Sequence, residues 1–217
     1  SLYTFRGFML MKKLIVIYDK EEKDKGRDSY IKAIKKAIPQ AEIYDKYEPD
    51  NKEECEKVLI LKPMKEDYYK ALTIALEKMP WLDVEGAASG KLTITAEAII
   101  RAIGPVDKKT VVILNQSDVL GRPLAKELID LGANVISLNS SYPCIDNLLT
   151  MTDVDVLVSA SGKYEFKLDR ELTRFIDVKI DLSDDLEDPI KITTVPTIEV
   201  LKDRLENSNK WWEQNND

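Results

Sequence analysis

Apolar residues along this chain switch between two periodicities. Short β-branched runs read as strands at Leu14 to Tyr18, Ala41 to Tyr44, Val58 to Leu61, Thr110 to Leu114, Asn134 to Leu138, Val154 to Ser159 and Phe175 to Ile180. Helical stripes lie between them. Tyr30, Ile31, Ile34, Ala37 and Ile38 form one; Tyr68, Leu72, Ala75, Leu76 and Met79 a second; Ala96, Ile99, Ile100 and Ile103 a third, with Thr95 as its expected N-cap. Pro123 to Leu131 carries proline near its start and Gly132 past its end, the usual start and stop signals, and a last helix is expected from Ile198 to Leu205. Strands alternating with helices predict βαβ units and parallel sheets, in two sets divided near Gly104-Pro105. The turns after Tyr18, Leu61, Leu114, Leu138 and Ser159 are then where ligands should sit, together with a cleft between the two lobes.

Composition narrows the chemistry. The 217 residues contain no histidine, which excludes Ser/His/Asp and Cys/His triads and the common His-containing zinc sites. Cys55 and Cys144 stand far apart and form no CxxC pair, so no metal site and no disulfide framework is expected, and a reducing cytoplasm is the natural setting. Cys144 has no visible base, and inert burial is expected. The longest apolar run, Leu14 to Tyr18, is too short for a membrane span or a secretory h-region. A net charge of −7, with both signs intermixed, argues against nucleic acid or anionic lipid as partner. The acidic run Asp181 to Asp188 reads as a solvated loop, and Trp211 and Trp212 as docking points in a polar tail.

From Thr110 to Ser141 a strand ends in Asn115-Gln116-Ser117-Asp118, Gly121-Arg122-Pro123 opens a helix, and a second strand ends in Asn139-Ser140-Ser141. A helix N-terminus of this kind offers backbone N–H groups and a positive dipole end to a pyrophosphate, although the full GxGxxG fingerprint is missing. An ordinary structural βα turn remains the alternative.

The stretch VVILNQSDVLGRPLAKELIDLGANVISLNSS resembles the cofactor-binding segment of the bifunctional methylenetetrahydrofolate dehydrogenase/methenyltetrahydrofolate cyclohydrolase family, with its pattern VVGRSxxVGRPxAxLLxxxxATVTxCHS. VDVLVSASG (Val154 to Gly162), FIDVKI (Phe175 to Ile180) and ITTVP (Ile192 to Pro196) resemble ADIVVxAxG, VIDVGI and ITPVP. In the first half, Asp83-Val84-Glu85-Gly86 resembles DVDG. Thr93 to Ile100 resembles PCTPxGVI, Leu59 to Pro63 resembles LVQLP, and Ser29 to Ala37 resembles SxxYVxxKxKA.

The resemblance implies an α/β fold with a small N-terminal α/β lobe (1–103) for a folate-type substrate, a Rossmann-like parallel-sheet lobe (104–196) for a dinucleotide, and a C-terminal helix (197–217) returning to the first lobe. It implies hydride transfer from a reduced folate to NADP or NAD, with hydrolysis of the methenyl product as a possible second activity, in a cytoplasmic homodimer formed through the second lobe. Carried over position by position, it implies Tyr30, Lys62 and Glu85 as catalytic residues, and Asn115, Gln116, Ser117, Gly121, Arg122, Pro123, Asn139, Ser140, Ala160, Gly162 and Thr193 around the cofactor.

Departures from the pattern are concentrated at the chemistry. Ile34 stands where the family has a lysine one helical turn after the tyrosine, and Lys32 and Lys35 project away from that face. Tyr30 itself lies in the apolar stripe, and a core position is its better reading. Leu61 replaces the glutamine of LVQLP; a one-residue shift puts Lys62 there, an ammonium at a strand end. Glu85 keeps the charge of the family's aspartate with one more methylene. The glycine loop after ITPVP shrinks to Thr197, and no glycine follows Gly162. The family's GRS becomes Asn115-Gln116-Ser117, and loss of that arginine tilts the expectation towards NAD over NADP. Two alternatives stand beside this enzyme: a non-catalytic ligand-binding or regulatory homologue, and an oxidoreductase of the same scaffold acting on another small acid.

Overall fold

The structure is a computed structural model that describes residues 11–46 and 56–206. Cys55, Trp211, Trp212 and the apolar N-terminal residues up to 10 lie outside it. The chain divides into one unit made of residues 1–89 and 198–217 and a second made of residues 90–197. Both are α/β with parallel sheets, as the alternating periodicity predicts.

The first unit has three parallel strands, β1 (Lys13–Tyr18), β2 (Glu42–Asp45) and β3 (Glu56–Ile60), in the order β2-β1-β3. Between β1 and β2 runs α1 (Lys25–Ala37), whose N-cap Asp24 accepts the Arg27 amide at 2.6 Å and so satisfies one of the orphan donors of the first turn. After β3 comes α2 (Glu66–Lys78). Ile15, Ile17, Val58, Leu72, Leu76 and Leu82 form one core cluster, each contributing about 1.5–3 kcal/mol by leaving water.

The second unit carries β4 (Thr110–Leu114), β5 (Asn134–Leu138), β6 (Val156–Ser159), β7 (Val178–Asp181) and β8 (Ile190–Lys191) in the order β5-β4-β6-β7-β8, all parallel. Its helices are α3 (Ile94–Ile103), α4 (Gly121–Asp130), α5 (Ile145–Met151), α6 (Arg170–Thr173) and the start of α7 (Thr194–Leu205). Successive β4 residues point to opposite faces. Val111 and Ile113 join a core with Ile99, Leu124, Leu128 and Val158, while Val112 and Leu114 join one with Ile145, Leu149, Leu157 and Ile176. Covering on both faces is why these strands read as unbroken apolar runs.

Four expectations are corrected. The division falls at 89/90, not 103/104, because Ala96, Ile99 and Ile103 of α3 pack into the core of the second unit. The N-cap of α3 is Thr93, and Thr95 lies inside the helix. The last helix starts at Thr194 with Pro196 in its first turn, where a missing N–H costs nothing. Cys144 is exposed.

Candidate functional site

Strand order locates the edge of the second unit at which open parallel sheets generally bind ligands. The chain leaves β4 towards β5 on one side and comes back to β6 on the other, so the carboxyl ends of β4 and β6 flank the topological switch point. Asn115, the first residue after β4, ties that edge together. Its Nδ2 donates to the Ala160 carbonyl at 2.9 Å, and its Oδ1 accepts from the Ser117 amide (2.9 Å), the Ser117 hydroxyl (2.9 Å) and the Gly121 amide (3.0 Å). Glycine is required at 121 because a Cβ there would lie 1.8 Å from the Asn115 carbonyl oxygen.

The first-turn amides of α4 have partners within the protein. The Gly121 amide is held by Asn115 Oδ1, the Arg122 amide donates to the Ser117 carbonyl at 3.1 Å, and Pro123 has no N–H. The dipole end remains, but these first-turn amides are already committed within the protein. Arg122 is exposed and pairs with Asp118 at 2.8 Å, and Gln116 donates to the Ser137 carbonyl at 3.0 Å.

The turn after β6 is built on a buried carboxylate. Asp185, fully buried, accepts from the Ser159 hydroxyl (2.6 Å), the Ser161 amide (3.0 Å) and the Ser161 hydroxyl (2.7 Å). Gly162 follows at φ 68°, donates its amide to Ser183 Oγ at 2.9 Å, and would present a Cβ to open space. Asp181 is also buried and accepts from the Ser183 and Leu186 amides. The run 181–188 is therefore an anchored loop, with Asp181 and Asp185 inside and Asp184 outside between Lys167 and Lys191. At the end of β5, Asn139 Oδ1 accepts the Ser141 amide, and Lys163 reaches over to Ser140 and Ser141. Thr193 is exposed just ahead of α7. Asn115, Gln116, Ser117, Gly121, Ala160 and Gly162 thus share one edge.

In the first unit, Ile34 is fully buried and Tyr30 is half-buried on α1. The carboxyl end of the sheet is laced with ions. Lys46 and Lys65 hold the Glu21 carboxyl down to about 2, Lys20 pairs with Asp45 at 2.9 Å, and buried Arg27 donates to the carbonyls of Asp19 (2.8 Å) and Pro63 (3.2 Å). Lys62 is exposed, with its ammonium 3.8 Å from the centroid of the Tyr69 ring, a cation–π contact with α2. Glu85 is half-buried in a turn organised by its neighbour Asp83, which accepts from Gly86 N (2.9 Å), Ser89 N (2.8 Å) and Ser89 Oγ (2.8 Å). Arg27, Asp185 and Lys163 escaped the sequence pattern. Arg27 lies three residues before Tyr30, and that i, i+3 spacing was the one available signal.

No protein-family model matches the chain, and no curated protein matches it. Solved structures do. The NAD-dependent 5,10-methylenetetrahydrofolate dehydrogenase of Saccharomyces cerevisiae matches with TM-score 0.70 at 16% identity, over 95% of this chain and 90% of its own. The methylenetetrahydrofolate dehydrogenase-cyclohydrolase of Trypanosoma brucei, complexed with NADP and an inhibitor, gives 0.69 at 18% identity, over 90% and 86%. The bifunctional 5,10-methylenetetrahydrofolate dehydrogenase/cyclohydrolase of Thermoplasma acidophilum gives 0.68 at 17%, over 95% and 91%. At identity this low the match shows the shared fold alone. Among the described residues no helix is long and apolar enough to cross a membrane, and no cluster of acidic and cysteine side chains could hold a metal ion.

Proposed function

We propose that this protein is an NAD(P)-dependent methylenetetrahydrofolate dehydrogenase. The observation that carries the reading is the Asn115 knot, which joins the ends of β4 and β6 at the switch point of a sheet whose fold matches such dehydrogenases over most of their length. The groups proposed to meet an anionic dinucleotide at that edge are Asn139, Ser140, the ammonium of Lys163 and the open side of Gly162, while Asn115, Gln116 and Ser117 spend their donors on Ala160, Ser137 and Asn115 and so shape the turn. When bound, the nicotinamide group supplies the hydride acceptor. Asn115 holds the turns after β4 and β6 at a fixed separation, Asp185 locks the second of them, and Gly162 leaves room for a close approach by ligand.

In the first unit Glu85 is the proposed partner for the amino-pyrimidine edge of a reduced folate, where a carboxylate can accept two hydrogen bonds, and Tyr30 is proposed to flank the substrate. Cyclohydrolase activity would rest on Lys62, because buried Ile34 supplies no ammonium and Arg27 is already committed to two carbonyls. A cytoplasmic homodimer formed through the second unit completes the proposal.

The decisive measurement is reduction of NAD+ or NADP+ by methylenetetrahydrofolate, followed at the nicotinamide absorbance. Turnover is expected, and Lys62→Met should leave it intact while lowering any hydrolysis of methenyltetrahydrofolate. A second reading, a ligand-binding protein without turnover, is favoured by Ile34 and by the committed amides of α4. It predicts thermal stabilisation by nucleotide or folate with no change in absorbance.

A further inference from the structure

Which dinucleotide the second unit prefers is written in a contact between two turns. In a sheet of this kind, the strand reached from the first βα unit carries the group that reads the adenosine ribose at its end: a carboxylate for the 2′-hydroxyl of NAD, or a cation for the 2′-phosphate of NADP. Here that strand is β5, and the residues after it run Asn139-Ser140-Ser141-Tyr142-Pro143-Cys144-Ile145, with no acidic side chain before Asp146 on α5. That stretch supplies no carboxylate to hold a ribose diol or to repel a phosphate.

A cation comes to the same place from the far side of β4. Lys163 leaves the turn after β6, and its Nζ donates to the Ser140 carbonyl at 3.0 Å and to Ser141 Oγ at 3.1 Å. Both acceptors are neutral, and among the described residues no carboxylate lies within ion-pair distance of this ammonium. Holding a long side chain across the switch point costs rotamer freedom for contacts that water could replace. An uncompensated ammonium beside the Ser141 hydroxyl suits a phosphate ester, which offers three acceptor oxygens and close to two negative charges. The lost arginine of the β4 turn is then replaced from the neighbouring turn.

We propose that Lys163, with Ser140 and Ser141, forms a 2′-phosphate subsite that makes the protein prefer NADP over NAD. The inference rests on the second unit binding a dinucleotide, and it reverses the preference suggested by Asn115-Gln116-Ser117.

The test is equilibrium binding of NADP+, NAD+ and 2′,5′-ADP to the full chain and to Lys163→Met and Lys163→Arg, with melting temperature as a check on folding. The wild type should bind NADP+ about tenfold or more tightly than NAD+, a ratio worth about 1.4 kcal/mol. Lys163→Met should weaken NADP+ and 2′,5′-ADP by about that factor and leave NAD+ unchanged, and Lys163→Arg should keep most of the preference. Preference for NAD+ in the wild type, an unaltered ratio in Lys163→Met, or equal weakening of both dinucleotides would overturn the subsite while leaving dinucleotide binding standing. Silence from all three compounds would remove the binding reading and the subsite together.

Discussion

Glu127 sits on α4 with its carboxyl buried and Oε1 without a hydrogen-bond partner. Burial pushes its pKa up to about 7; Asp130 and Glu97 push the same way, and Lys126 opposes them. Because the folded value exceeds the ordinary 4.5, the fold prefers the neutral acid. The penalty is absent below about pH 4.5, grows as pH rises through about 7 and is complete above it. Glu127→Gln should therefore flatten this part of the pH dependence of the melting temperature and raise stability on the alkaline side; a variant that tracks the wild type at every pH would contradict it. Gly121 is a second residue whose role is local. With the Asn115 carbonyl oxygen 1.8 Å from where a Cβ would stand, Gly121→Ala must push the turn apart. A loss of about 1–3 kcal/mol is expected in urea unfolding, with weaker nucleotide binding as the visible consequence. Glycine at 121 was legible in the sequence as a helix-start signal; its reason was not, since a phosphate and a neighbouring carbonyl both ask for the same missing Cβ.

At the scale of elements, periodicity located strands well and loops poorly. Thr110–Leu114 and Asn134–Leu138 sit where their apolar runs place them, whereas α5, α6 and the two-residue β8 gave no usable pattern because they are shorter than the periods that reveal them. The loop after β7 shows the deeper reason. Asp181-Leu-Ser-Asp-Asp reads as solvated, and what buries Asp185 is a set of donors at Ser159 and Ser161, 24 to 26 positions away. Nothing local encodes that. Asp185→Ala should leave the Ser161 amide and two hydroxyls without acceptor, at a cost of about 2 kcal/mol or more. Asp185→Asn should be milder, since the one amide oxygen can keep Ser159 Oγ and Ser161 N while the Ser161 hydroxyl rotates to accept from the new NH2. Comparable urea midpoints for the alanine and asparagine variants would argue against a hydrogen-bonding role. The same non-locality hid Lys163, whose partners at Ser140 and Ser141 are 23 and 22 positions back.

At the scale of the whole molecule, the first unit is discontinuous: residues 198–217 belong to it with residues 1–89, although the second unit intervenes in the chain. The family resemblance implies a last helix that returns to the first lobe, whereas physical signals in the sequence give no such expectation, because an amphipathic C-terminal helix matches any apolar face. Arg204 supplies the specific link. Almost wholly buried, it donates from Nη1 to the Val84 carbonyl at 2.8 Å and to the Glu85 carbonyl at 3.1 Å, 120 and 119 positions away, while Lys12 donates its amide to the Leu205 carbonyl at 3.0 Å. The turn that presents Glu85 is thus held from one side by Asp83 and from the other by a residue beyond the second unit. Arg204→Ala removes a guanidinium and leaves two carbonyls seeking donors, which should cost about 1–3 kcal/mol, confined to the first unit. Hydrogen exchange is the measurement that resolves it. Amides of β3 and of the turn from Asp83 to Ser89 should exchange faster in Arg204→Ala, those of β4 and β6 should not change, and reduced-folate binding should weaken while dinucleotide binding holds. Faster exchange spread evenly through both sheets would mean that the link supports the whole chain and not the turn from Asp83 to Ser89.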